Sequence, residues 1–167
     1  MTPTKPPIDP RHSAIYLGRR FFQVAHSAAA EAHADIGLSP LEFGVLFQLH
    51  DRPGVDQNTL AERLALDRTT TSTTVLKLEQ LGLIRRDVNR SDRRARILRL
   101  APAGVALYAS HRPKAQAAQQ RVLSVLTSAE RKQLAELLTR VIDANQQYLQ
   151  PGMIRPRRTK VKTPVGR

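Results

Sequence analysis

Residues 67–100 read DRTTTSTTVLKLEQLGLIRRDVNRSDRRARILRL, and the fold turns on how this stretch divides. Six consecutive hydroxyl residues, Thr69 to Thr74, are poor helix formers, and propensity alone favours a strand there. Val75, Leu78 and Leu81 follow at helical spacing, and this periodicity sets the reading as a helix over 68–81 that Gly82 stops. From Leu83 the pattern changes. Leu83-Ile84-Arg85-Arg86-Asp87-Val88 and Arg96-Ile97-Leu98-Arg99-Leu100 are two β-prone runs around a polar tip at 89–94, which predicts a hairpin.

Working upstream, Asp56 can cap a short helix reaching Leu64, and Ala65-Leu66-Asp67 makes a tight connection to the hydroxyl-rich helix. Ser39, Pro40 and Glu42 form a helix start with a capping box. The helix this opens, over 40–50, is apolar on most sides and is expected to be buried. Before it, Leu17, Phe21, Val24, Ala28 and Ala32 give one apolar face to a helix that begins near Ser13 and ends at Ile36-Gly37.

Downstream, Pro102 opens a long helix containing Val105, Leu107 and Tyr108, which Pro113 is expected to kink or split in two. Thr127-Ser128-Ala129-Glu130 is a second capping box, followed by Leu134, Leu137, Leu138, Val141, Ile142 and Tyr148. Residues 1–11 are expected to form a Pro-rich flexible arm. Residues 150–167 are a basic tail with six cationic groups and no acid.

The charge balance narrows the partners. A net charge of +13, from 27 Lys and Arg against 14 Asp and Glu, favours a polyanion, either nucleic acid or an anionic membrane surface. Residues 85–99 hold seven Arg against two Asp, and this concentration on the hairpin favours nucleic acid. There is no cysteine, which excludes disulfides and thiolate metal sites. No apolar run approaches the roughly 18 residues that cross a bilayer, and the N-terminus lacks the apolar core of a signal peptide. A cytoplasmic protein with no membrane partner is expected.

Two short helices and a basic hairpin form a helix-turn-helix with a wing. Such a motif places its second helix in the major groove, with residues near that helix's start reaching base edges. The candidate DNA contacts are therefore Arg68, Thr69, Thr70, Thr71, Ser72, Thr73 and Lys77. The short hydroxyls would donate to phosphates and touch thymine methyls. On the hairpin, Arg90, Arg93, Arg94 and Arg96 can enter a narrow minor groove, while Asp92 braces the tip. The basic tail either follows the duplex or is an inert end.

The stretch SPLEFGVLFQLHDRPGVDQNTLAERLALDRTTTSTTVLKLEQLGLIRRDVNRSDRRARILRLAPAG resembles the multiple-antibiotic-resistance regulator (MarR) family. The likeness rests on Leu60-Ala61 and Leu64-Ala65, the Leu-Glu-x-Leu-Gly-Leu-Ile junction at 78–84, the Asp-Arg-Arg wing, Leu98-x-Leu100 and Gly104. The chain departs from the family pattern at Ala101, where Thr is usual and would cap the next helix. The resemblance implies a mainly α fold with a small β-hairpin: a winged helix-turn-helix over 40–100 between dimerisation helices at 12–36 and 102–149. It also implies a homodimer, a palindromic double-stranded DNA operator and a small-molecule effector. That effector would be an aromatic acid, a phenolic compound or a coenzyme A thioester. Independently of the likeness, two apolar-faced terminal helices in so small a chain need a cover.

Five of the seven aromatics lie in the first two helices beside several histidines. His12, Tyr16, Arg19, Arg20, Phe43 and Phe47 are the candidate effector residues, the arginines pairing with a carboxylate or phosphate. The same residues could equally be plain core. His26 and His33 lie two turns apart, with Glu31 and Asp35 nearby, but no recognisable ligand set is complete, so no metal and no cofactor is expected. Nucleophile-elbow, phosphate-loop and zinc-protease motifs are absent from the sequence, which argues against an enzyme. Two readings remain: a ligand-responsive sequence-specific repressor, and a ligand-independent architectural DNA-binding protein.

Overall fold

The computed structural model describes residues 13–88 and 96–149. Within them the order is α1 (Ala14–His33), α2 (Pro40–Asp51), α3 (Gln57–Arg63), α4 (Arg68–Gln80), β1 (Ile84–Val88), β2 (Arg96–Leu100), α5 (Pro102–Val122) and α6 (Ser128–Asp143). The arm, the hairpin tip and the basic tail lie outside the described residues.

Both capping boxes form. Ser39 Oγ accepts from the Glu42 N–H while the Glu42 carboxylate accepts from the Ser39 N–H, and Thr127 and Glu130 repeat the arrangement. Asp56 and Asp67 cap α3 and α4 by accepting backbone N–H bonds of 2.8 to 2.9 Å. The turn between these helices contains a feature the sequence does not announce. Ala65 takes a left-handed conformation, φ 51, a position where glycine is usual. The Leu66 N–H then reaches the Ala61 carbonyl at 2.9 Å and closes α3.

The core lies under α2, α3 and α4. Val45, Leu46, Leu49, Leu60, Val75, Leu78 and Leu98 are essentially fully buried there. β1 and β2 pair antiparallel with Ile84 opposite Leu100 and Arg86 opposite Leu98. Val55, in the turn before α3, adds a bridge to the hairpin. The Leu98 N–H donates to the Val55 carbonyl, and the Gly54 N–H donates to the Leu98 carbonyl. The hairpin is thus hydrogen-bonded to the helical lobe beneath it.

Pro113 does not split the long helix: α5 runs unbroken from Pro102 to Val122. A proline removes one N–H from the ladder, and the bonds on either side suffice to hold one helix here. Ala101 gives α5 no side-chain cap. Its own N–H instead donates to the Leu83 carbonyl at 2.9 Å. Gly104 packs against that same carbonyl, and a Cβ there would overlap the oxygen.

The terminal helices contrast with this core. α6 buries none of its residues, and Leu137, Leu138, Val141 and Ile142 stand in solvent. On α1, Leu17, Phe21, Phe22 and Val24 are also exposed. A groove of about 370 Å³ between α1 and α5 is lined by Phe21, Ala25, Ala28, Ala29, Ala115, Ala118 and Leu123, among others.

Gly104→Ala should therefore be among the most damaging small substitutions. Overpacking a rigid backbone contact costs roughly 1–3 kcal/mol or more. A thermal unfolding midpoint equal to that of the parent protein would contradict this packing.

Candidate nucleic-acid interface

α4 is a helix because its hydroxyls serve it. The Asp67 carboxylate accepts from both the N–H and the Oγ of Thr70, at 2.8 and 2.9 Å. These bonds, the Thr70 N–H first, hold the Asp67 carboxyl below its ordinary range and so keep it an anion at the helix's positive end. Thr71, Thr73 and Thr74 each donate an Oγ–H to the carbonyl four residues earlier, at 2.8 to 2.9 Å. Side chains that compete with a helix elsewhere are here bonded along it.

This bonding sorts the hydroxyl row into two faces. Thr71 and Thr74 point inward beside Val75 and Leu78, and Thr71 is 0% exposed. Thr71 is therefore a core residue and not a DNA contact, a correction to the sequence reading. Its position falls on the same helical face as Leu78, which packs into the core. Thr70 is half-buried with its hydroxyl committed to Asp67. Arg68, Thr69, Ser72 and Thr73 lie on the outer side, as expected.

Lys77 is also placed differently from its expected role. Its ammonium lies 2.7 Å from the Glu42 carboxylate at the start of α2. Burial alone would raise the Glu42 carboxyl, but Lys77 and the Ser39 N–H outweigh it and hold the group below its ordinary value. An ammonium engaged in this way ties α4 to α2. Two further exposed residues of α4, Leu76 and Gln80, escaped the sequence reading. Their signal was the helical spacing from Thr69 and Ser72, which the hydroxyl run obscured.

On the hairpin, Arg86 bonds the Glu79 carboxylate of α4 at 3.1 Å. Arg85 and Arg99 flank Asp87 at 3.2 and 3.6 Å. Arg96 is exposed at the start of β2. Arg90, Asp92, Arg93 and Arg94 lie outside the described residues. The strands thus use part of their charge for internal pairing.

The candidate effector residues do not converge on one cavity. Phe43 is only 7% exposed and stacks on His33 and Tyr108, with ring centroids 4.4 and 5.7 Å away. Phe47 is half exposed beside Tyr108, while Tyr16, Arg19 and Arg20 lie exposed on α1. His12 lies outside the described residues. None of the five described candidates is among the residues lining the α1–α5 groove. Phe43 is accounted for by core packing.

One pairing was not foreseen. His33 Nδ1 and His111 Nε2 lie 3.0 Å apart, both side chains buried, joining the end of α1 to the middle of α5. Beside them Lys114 pairs with Asp35 at 2.6 Å. His26 takes no part and packs instead on Phe22. Among the described residues no group of three or more His, Cys, Asp or Glu comes together as a metal site, and no helix is long and apolar enough to cross a membrane.

A capped helix-turn-helix followed at once by a paired basic hairpin defines a winged helix-turn-helix protein. The sequence pattern of the MarR family matches residues 36–95. The chain is 30% identical to the HTH-type transcriptional regulator MhqR of Bacillus subtilis, over 76% of this chain and 87% of that protein. A protein of Thauera aromatica named as a regulator for the hcr operon is 34% identical over 63% of each chain, so the match spans just under two thirds of that relative. Among solved structures, BpsR of Bordetella bronchiseptica, whose DNA binding is regulated by 6-hydroxynicotinic acid, superposes with a TM-score of 0.76. That match has 26% identity and covers 82% of this chain and 98% of the other. The chain belongs to the MarR family, whose members are transcriptional regulators and not enzymes.

The burial of His33 should make stability depend on pH. Burial first, then His111, holds the His33 imidazole below its ordinary range, with Lys114 adding to this and Asp35 opposing it. The unfolded chain therefore takes up a proton more readily than the folded one. Stability should be complete above about pH 6.5 and should decline as pH falls below that value. Calorimetry at about pH 7.5 and 5.5 would test this, and the decline should be shallower in His33→Gln, whose amide cannot take the proton. An identical decline in both proteins would remove His33 as its source.

Proposed function

We propose that this regulator is a homodimeric repressor. Two copies of α4 and of the hairpin hold a palindromic double-stranded operator, and a small aromatic acid, phenolic compound or acyl-CoA-type thioester releases it. The observation that carries this reading is the row Thr69, Ser72 and Thr73 on the outer face of α4, beside an arginine-rich hairpin. Short uncharged hydroxyls can enter a major groove closely, and the hairpin arginines would supply phosphate and minor-groove attraction.

The dimer is supported by the apolar faces of α1 and α6, which one protomer leaves in water. In this reading residues 12–36 and 102–149 form the dimer region, 40–100 the DNA-binding lobe, and 150–167 a basic extension. Two-fold symmetry would set the two reading helices about one DNA turn apart. Occupancy of an operator overlapping a promoter would exclude polymerase, which makes repression the direct outcome of binding. The effector class is supported by the 6-hydroxynicotinic acid response of BpsR and by the aromatic character of α1 and α2. Its site would lie where those helices meet α5.

Footprinting on genomic fragments tests the central claim, and a discrete palindromic footprint is the expected result. Even coverage would instead assign an architectural role. Binding should weaken steeply with added salt, since phosphate neutralisation releases counterions. Arg94→Ala should cost more than about 1 kcal/mol of operator affinity, and unchanged gel-shift titrations would take the wing out of the interface.

Assembly gives a separate test. Light scattering should report a dimer, and Val141→Asp should yield monomers with much weaker operator binding. A parent protein that runs as a monomer while still giving a palindromic footprint would refute the dimer reading. Aromatic acids or their thioesters should release DNA at micromolar concentration, and a panel in which none alters affinity would count against effector control.

A further inference from the structure

The exposed face of α4 carries one residue that the hydroxyl row does not explain. Leu76 is 50% exposed, although the core face of the same helix is already filled by Thr71, Thr74, Val75 and Leu78. Leu76 follows Thr69, Ser72 and Thr73 by seven, four and three residues, and Gln80 follows it by four. These spacings put all five on one outward stripe, with Leu76 at its centre.

The stripe is uncharged throughout. Charged side chains of α4 lie off it: Arg68 at the helix start, Lys77 held by Glu42 and Glu79 held by Arg86. Major-groove chemistry then limits what the stripe can read. Bidentate recognition of guanine calls for Arg or Lys, and reading the cytosine amino group calls for Asp or Glu. Neither type lies on the stripe itself, and Arg68 stands beside it at the helix start. Among the four bases only thymine offers an apolar group in that groove, its C5-methyl, and a leucine matches it. A protein partner fits this surface poorly, because the leucine is ringed by hydroxyls and the adjoining hairpin is rich in arginine.

We propose that Leu76 is a specificity-determining residue of α4, packing on a thymine methyl in the major groove and so fixing a thymine in each half-site. This inference rests on the operator reading above and adds the base class that the helix selects. Ser72 and Thr73 border the contact, and the methyl of Thr73 extends its apolar surface. Arginines of the hairpin would supply attraction without sequence, and the leucine would supply discrimination.

The experiment uses the full-length protein and a library of random duplexes. After selection, each thymine of the recovered consensus is replaced singly by deoxyuridine, which lacks only the methyl group. Wild-type affinity should fall about fourfold at one position in each half-site, the worth of one buried methyl. Leu76→Ala should bind the thymine duplex more weakly and be indifferent to the same replacement, whereas Leu76→Met should keep the sensitivity. Because Leu76 is outside the core, all three proteins should share one unfolding midpoint and one oligomeric state.

The proposal is overturned if no deoxyuridine replacement weakens the wild-type protein on its consensus. It is equally overturned if Leu76→Ala keeps the full sensitivity, or if that variant changes the oligomeric state, which would place Leu76 in a subunit contact. A library that returns no consensus refutes the operator reading itself and this inference with it. The two failures are thereby distinguishable.

Discussion

A hydroxyl buried among leucines must be given an acceptor, and this requirement organises the DNA-binding lobe. Thr71 and Thr74 lie on the buried side of α4, 0% and 8% exposed. The carbonyls of Asp67 and Thr70 accept their hydrogen bonds. Only a helix places those carbonyls within reach, so the inward threonines and the helical backbone require one another. Once they are seated, Val75 and Leu78 follow into the core. Thr69, Ser72, Thr73 and Leu76 are left on the outside by the same geometry. The Leu83 N–H then bonds the Leu78 carbonyl and starts the hairpin from a fixed point.

A second set of polar links joins this lobe to the long helices. His33 with His111, Asp35 with Lys114, and Glu42 with Lys77 all cluster around the short passage from α1 to α2. The exposed Asp35–Lys114 pair contributes little on its own. The other two matter more because they are partly or wholly buried, where a polar group left without its partner is costly. Together they fix how the end of α1, the middle of α5 and the recognition helix sit against one another.

Much of this was legible from the residues. Capping boxes at Ser39 and Thr127, the helix restart at Asp67 and the hairpin at 84–100 all rest on local chemistry, which a sequence displays directly. What escaped depends on partners distant in the chain. The face that Thr71 takes is decided by the core beneath it, and the hydroxyl run gives no hint of which members turn inward. The acid that pairs with Lys77 lies on another helix, 35 positions earlier in the sequence. The His33–His111 bond spans 78 positions. Val55 is tied to the hairpin by backbone hydrogen bonds, which no side-chain pattern reports. Pro113 does not end α5, since a lone missing donor leaves the helix bonded on both sides. Of the expected wing contacts, only Arg96 falls within the described residues, where it is exposed.

The carbonyl of Leu83 is a small feature with a mechanical outcome. It accepts the Ala101 N–H and lies against Gly104, so the root of the hairpin and the first turn of α5 meet at a single atom. α5, with 21 residues, extends about 30 Å from that point. A tilt of roughly four degrees there moves the far end by about 2 Å. Conversely, ångström-scale travel at the outer end of α5 would correspond to only a few degrees of turn at the wing. A reduction of this kind allows coarse motion at one end of a protein to set a fine angle at the other.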